Sequence, residues 1–395
     1  MTWAFGFGTG GTFREALERA ALQAVEALED DPDLLLFFST CPLPKRAFPF
    51  PAGPASRPGA TLLAGARAHQ VWKPGTGWTR APAVGLLAGS FPFPCVQALR
   101  FRPKVLPSPD GDPRTWRRVL GFQGPPPAAL LLLAGLRSFH LAPLLPGLQA
   151  ALPRTTLAGG VLGPEGPGNR TGSVFLESIL PREEALGLAL DPPTSMEVLS
   201  LPAFRPLGPP HKVTAMAGEE VGELEGRPAW EVLREEHRET SGETSLLAEV
   251  SSHPPREDGA LPCAEARMVL RVGKRVRILT PGGLREGQWV RLCLPDPEAA
   301  WKKVQALPSF SWKGDGCAIL FACPTSCRDP SRDPAAALAE RMGGIPFLGA
   351  RSWAQIAAVP GCGPLLLGQS LVLCRIGEVP DAPSAGFQGR RQGRG

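Results

Sequence analysis

Runs in which every position is apolar punctuate the first half of the chain. Leu34 to Phe38 and Ala129 to Leu133 hold no polar residue, which predicts strands buried on both faces of a sheet. Ahead of them lies a stretch of different period. Phe13, Leu17, Ala20, Ala24 and Leu28 recur at helical spacing while Arg14, Glu18, Arg19 and Glu26 fall off that stripe, so residues 13–29 read as an amphipathic helix. Thr12 and Glu15 form a capping box at its start. Further strands are expected at 2–7, 61–65, 83–88, 96–101, 157–161, 172–176 and 185–190, with helices near 116–119 and 143–152. A proline-rich loop at 42–58 cannot join a central sheet.

The second half opens on a denser pattern, Leu207 to Leu233. Gly208-Pro209-Pro210 should interrupt regular structure, 212–217 reads as a strand, and Gly218-Glu219-Glu220 turns into a second strand ending at Leu224. Gly226-Arg227-Pro228 then leads into a helix over 229–237, with Pro228 at its first position and Glu231 in its first turn. The stretch is expected to act as a joint between two halves. Beyond it, strands are predicted at 245–250, 267–272, 275–279, 289–294, 316–323 and 369–376, and helices at 297–307 and 335–342. The expected fold class is α+β, or mixed α/β. Two packed halves are expected, each a largely antiparallel or mixed sheet with flanking helices.

Composition changes this picture only at its margins. At 395 residues there is material for two domains of ordinary size. The expected division is 1–200, 201–378 and a disordered, basic, glycine-rich tail over 379–395. A net charge of +5 is small for this length, and its arginines cluster only at Arg390, Arg391 and Arg394, which argues against nucleic-acid binding. Nine cysteines without a tight spacing fit reduced thiols. The opening MTWAFGFGTGG lacks the plan of a secretory signal, and the apolar run 128–136 falls short of a membrane span of ~20 residues. A cytoplasmic protein without membrane contact is therefore expected, and the sequon at Asn169 carries no weight.

Several segments resemble the FIST-domain family, the F-box and intracellular signal transduction proteins. Gly208-Pro209-Pro210, Val213-Thr214, Glu223-Leu224-Glu225-Gly226 and Pro228-Ala229 are similar to the opening of the C-terminal FIST domain, with Glu225 where the family usually has Asp. Residues 33–39, 81–92 and 152–163 resemble landmarks of the N-terminal FIST domain, and the pair Gly159-Gly160 is the sharpest of them. Departures accompany the likeness. Gly65-Ala66-Arg67-Ala68-His69 replaces a family turn, Ala354 and Gln355 stand at Gly-Glu positions, and Ser326 stands in register with a family arginine, with Arg328 two residues on. No F-box is expected ahead of Thr2.

The resemblance implies a non-catalytic, ligand-sensing role in signal transduction, the ligand being an amino acid or a related metabolite. An Arg and a Glu on adjacent strand ends could hold the two ends of such a zwitterion by charge-assisted hydrogen bonds. In this chain Arg328 and Arg351 would have to substitute. The expected ligand-binding set is Gly159, Gly160, Cys323, Ser326, Arg328, Arg351 and Gln355, with rims around Gly160 and Arg351 facing a shared hollow. Two rival readings remain: an interaction module acting with ubiquitin-ligase or signalling partners, and an enzyme using Cys323 as a thiolate. Partners are therefore a small molecule or another protein, and the oligomeric state is open.

Other chemistry finds less footing. Gly6-x-Gly8-x-x-Gly11 matches a dinucleotide-binding turn, but the acidic residue expected after the next strand is missing. Cys323 and Cys327 form only half of a zinc pattern, and the five histidines lie far apart. No cofactor, metal or catalytic residue is expected.

Overall fold

The computed structural model describes residues 1–28, 30–45, 61–91, 95–122, 124–135, 141–164, 173–237, 246–262, 265–272, 274–278, 284–307, 316–323, 332–342, 344–359 and 363–378. The fold is mixed α+β, in two packed halves with antiparallel and mixed sheets flanked by helices, as the patterning predicts. Three six-stranded sheets and one seven-stranded sheet hold the strands.

The three six-stranded sheets follow one plan, traversed three times. The first pass runs β1 (Thr2–Thr9), α1 (Phe13–Ala27), β2 (Leu34–Ser39), β3 (Leu62–Arg67), the hairpin of β4 (Val71–Lys73) and β5 (Gly77–Thr79), and β6 (Ala83–Ser90). The second runs β7 (Val96–Phe101), α2 (Pro113–Val119), β8 (Ala129–Gly135), α3 (Leu141–Ala151), β9 (Thr156–Leu162), the hairpin of β10 (Val174–Leu176) and β11 (Ser178–Ile179), and β12 (Ala185–Leu190). The third starts with β13 (Thr194–Pro202) and is then interrupted. The insert comprises β14 (Phe204–Ala217), β15 (Glu220–Leu224), β16 (Arg227–Pro228), α4 (Ala229–His237), β17 (Leu247–Ser251), β18 (Glu265–Val272), β19 (Arg275–Ile278) and β20 (Trp289–Pro295). The third pass resumes with α5 (Pro297–Ala306), β21 (Gly316–Ala322), α6 (Pro334–Arg341), β22 (Phe347–Arg351), the hairpin of β23 (Ala354–Val359) and β24 (Gly363–Leu367), and β25 (Ser370–Glu378).

In every pass the first strand lies antiparallel to the last, the last antiparallel to the second, and the second parallel to the third. The hairpins then join the sheets in a ring. That of the first pass pairs onto β22, that of the second onto β3, and that of the third onto β9. No pass completes its own sheet.

Alternation along the buried strands explains why they are apolar at every position. Leu34, Leu36 and Phe38 of β2, Leu131 and Leu133 of β8, and Ile319 and Phe321 of β21 share one central core. Their neighbours Leu35 and Phe37, Leu130 and Leu132, and Leu320 face separate cores beneath the flanking helices. Each such side chain, fully buried, stabilises by ~1.5–3 kcal/mol. No described helix is long and apolar enough to cross a membrane.

Some expectations are corrected. Gly6 and Gly8 lie within β1 rather than in a phosphate-cradling turn, and both press on α1: a Cβ would stand 1.8 Å from the Ala20 carbonyl oxygen at Gly6 and 2.0 Å from that of Ala16 at Gly8. Close helix packing accounts for these glycines. The capping box forms with a small shift, because Thr12 Oγ1 accepts from Glu15 N–H at 3.2 Å while the Glu15 carboxylate accepts from Gly11 N–H at 2.9 Å. Gly208-Pro209-Pro210 does not end regular structure, since β14 runs through it with an irregularity between Leu207 and His211 on its β20 side. The stretch 207–233 belongs to the insert, whose separate core includes Leu207, Val213, Leu224 and Leu233.

His211, beside that irregularity, lies between two acids. Its Nε2 is 2.5 Å from Glu236 Oε1 and its Nδ1 is 3.2 Å from Glu225 Oε2. Donation from its ring N–H to the Glu236 carboxylate raises its pKa above the ordinary 6.5; burial opposes the shift and Glu225 adds to it. The stabilisation is thus fully present below about pH 6.5 and is lost as pH rises through the raised folded value. Calorimetric melting across pH 5.5–9 is expected to show a falling Tm over that window, and His211→Gln should flatten it. Gly6→Ala should cost ~2 kcal/mol or more in urea unfolding, because the helix backbone must move away.

Candidate functional site

The ring of hairpins leaves the first strand of the first sheet and the outer hairpin strand of the third sheet as edges, β1 and β5. Both line a cleft of about 1220 Å³, which α6 borders with Asp333, Ala336, Ala339 and Glu340. The hairpin walls are aromatic. Trp72 and Trp78 are cross-strand partners with ring centroids 5.3 Å apart in a T-shaped contact, and the connecting turn uses left-handed backbone at Gly75 and Gly77, with φ of 74° and 86°.

Arg351 ends β22 at the base of this cleft and is 3% exposed. Its guanidinium carbon lies 4.2 Å from the Trp78 ring centroid, within cation–π range, and its Nη1 donates to the Cys323 carbonyl at 2.5 Å. Its own N–H bonds to the Gln70 carbonyl at 2.9 Å, which fixes the strand end against the borrowed hairpin. Asp333, the N-cap of α6, accepts from Ala335 N–H at 3.0 Å. Burial pushes its carboxyl pKa up, and the Ala335 N–H and the Arg351 charge pull it back. One cleft therefore presents a cation and an anion over aromatic walls.

The residues singled out from the sequence fall into two neighbouring groups. Arg351 and Cys323 are joined by the hydrogen bond to the Cys323 carbonyl. Gln355 is the direct cross-strand partner of Gly160, beside Gly159. Gln355 is fully buried, donating through Nε2 to the Ser352 carbonyl and Oγ at 3.0 Å each and accepting from Ser370 N–H at 3.3 Å. The two glycines are packing points: a Cβ on Gly159 would lie 1.9 Å from the Leu132 carbonyl oxygen, and one on Gly160 would lie 2.5 Å from the Phe321 ring. Of the described members of the set, only Arg351 lines the cleft. Ser326 and Arg328 lie outside the described residues. Trp3, Phe5, Trp72, Trp78, Asp333 and Glu340 escaped the sequence reading, although two tryptophans around Lys73-Pro74-Gly75-Thr76-Gly77 carry a legible hairpin signal.

Among known families, the FIST N domain matches residues 14–227, more than half of the 395 residues. The chain belongs to the FIST N domain family. The matched span starts within α1, after β1, runs through the rest of the first two passes and crosses into the insert, so it includes Arg67, Trp72, Trp78, Gly159 and Gly160 but neither Trp3 and Phe5 nor Asp333 and Arg351. No curated protein matches this FIST-family chain. Among solved structures, it is similar to the crystal structure of cyanuric acid hydrolase from A. caulinodans at 9% identity and a TM-score of 0.32, over 96% of this chain and 99% of that one. No chemistry is carried over at that score.

The Gln355 network yields a test. Gln355→Leu preserves volume but leaves the Ser370 N–H and the Ser352 carbonyl without their buried partner. Its expected cost is about 1–3 kcal/mol in urea unfolding.

Proposed function

We propose that this protein is a non-catalytic sensor, in which the cleft between β1, β5 and α6 binds a small ligand bearing both charges, such as an amino acid or a related metabolite. Membership of the FIST N domain family supports a general sensory role. The observation that carries the ligand's chemistry is the placement of Arg351 and Asp333 on one cleft, with Trp78 stacked against the cation. A carboxylate is drawn to the guanidinium and an ammonium to Asp333, and the aromatic walls supply apolar contact. Residues 201–378 are read as the companion C-terminal FIST-like unit, and Arg351 and Asp333 both belong to it.

A non-enzymatic role is supported by the position of Cys323. It is 4% exposed, and its main-chain carbonyl accepts from Arg351. A reactive cysteine needs an accessible thiolate in an electropositive setting.

A thermal-shift screen of amino acids and related metabolites tests the reading. A ligand at 100 times its Kd should stabilise by ~2.7 kcal/mol. Asp333→Asn keeps an N-cap side chain while removing the charge, so it should fold normally and lose the shift. Absence of a shift with every compound would sink the small-ligand reading and favour a protein partner.

A further inference from the structure

The same cleft exposes a strand edge, which implies a longer ligand than a single amino acid. β1 is the outermost strand of its sheet. Gly10 N–H bonds to the Pro82 carbonyl, while on β6 the carbonyls of Ala83 and Gly89 face the other way, to Thr40 and Asp33. The register pairs residues whose numbers sum to that of Gly10 and Pro82, so even-numbered residues of β1 bond to β6 and odd-numbered ones turn their N–H and C=O groups outward. Toward the end of β1 side chains cap those outward groups: Gln23 Oε1 accepts from Phe7 N–H at 2.8 Å, and Arg19 donates to the Thr9 carbonyl at 2.6 Å. At Trp3 and Phe5, which line the cleft, no such cap occurs among the described residues.

An uncapped edge is a template for one more strand. The facing wall, β5, is itself an edge. The volume of about 1220 Å³ also exceeds the roughly 300–1,000 Å³ of ordinary small-molecule pockets. Charge gives the occupant a direction: Asp333 and Glu340 lie on the α6 wall, and Arg351 and Arg80 also line the cleft.

We propose that the cleft receives an extended peptide, which adds a strand to β1 at Trp3 and Phe5 and sets a basic group against Asp333 and Glu340. This rests on the cleft being the ligand site and names the class of ligand. Main-chain hydrogen bonds then supply much of the affinity, so recognition tolerates varied side chains.

Titration calorimetry tests it with a hexapeptide of alternating valine and alanine carrying one lysine, with the same peptide N-methylated on either set of alternate residues, and with free alanine and lysine. The hexapeptide is expected to bind at least tenfold tighter than either amino acid. One of the two N-methylated forms should lose at least tenfold while the other binds. Phe5→Pro removes an outward N–H at an edge position that tolerates proline and should abolish binding, whereas Phe5→Ala keeps that N–H and should weaken binding far less, both variants showing parent-like circular dichroism. Equal affinity for free amino acid and hexapeptide would overturn strand addition and leave the small-ligand reading intact; no binding of any probe would overturn both. Concentration-dependent dimerisation abolished by Phe5→Pro would also overturn the proposal, by giving the edge to a second copy.

Discussion

The exchange of hairpins between sheets is the constraint on which the rest of the fold depends. In each pass the second and third strands run parallel, which leaves the far edge of the third strand without a partner from its own pass. A hairpin from another pass covers that edge. The covering is hydrogen-bonded along β9, where residues 158–161 meet 354–357. It also brings Val71, Val174 and Ala357 into the single central core. Unpaired buried backbone groups are costly, so a pass without its neighbours would expose both an edge and half of its apolar side chains. The three passes are expected to fold as a unit, with the insert's core formed separately.

That plan was partly written in the sequence. Strands buried on both faces announced themselves by unbroken apolar runs, and α1 by its stripe and cap. Which face of Leu34 to Phe38 met which partner was not legible, because alternating apolar residues look alike whether they enter a shared core or one beneath a helix. Of the hairpin strands only β10 was anticipated, at 172–176, and the others were missed for a related reason. β4 and β5 have three residues each, too short for a periodic signal, and their stability comes from strands far away in the chain.

One signal was available and unread. Leu63 to Arg67 reads LAGAR, Leu157 to Val161 reads LAGGV, and Phe347 to Arg351 reads FLGAR. These occupy the same register in the three passes: Gly65 faces Phe37, Gly159 faces Leu132 and Gly349 faces Leu320 across the parallel pairs. At each site a side chain is excluded, by the Phe37 carbonyl oxygen at 2.2 Å, the Leu132 carbonyl oxygen at 1.9 Å and Trp72 Cβ at 2.7 Å. The glycine that looked like a ligand contact in one pass is therefore a recurring packing requirement. Aligning the chain against itself, rather than against a family pattern, would have separated packing from chemistry.

Chemistry enters where the passes differ. Two residues after each of these glycines stand Arg67, Val161 and Arg351. Burial depresses the pKa of Arg67, its tendency to hold charge opposed only by the cost of desolvation and eased by nearby Cys41. Arg351 is more deeply placed, yet it meets the Trp78 face, the Cys323 carbonyl and the Asp333 charge. The equivalent of Trp78 on the hairpin that serves Arg67 is Ile179, since Ile179 pairs with Phe175 as Trp78 pairs with Trp72. A planar aromatic face can hold a guanidinium where a branched aliphatic chain cannot. Divergence of one hairpin residue thus turns a repeated strand end into a charged, aromatic cleft at one corner of the ring, which is why function has to be sought in what breaks the repeat.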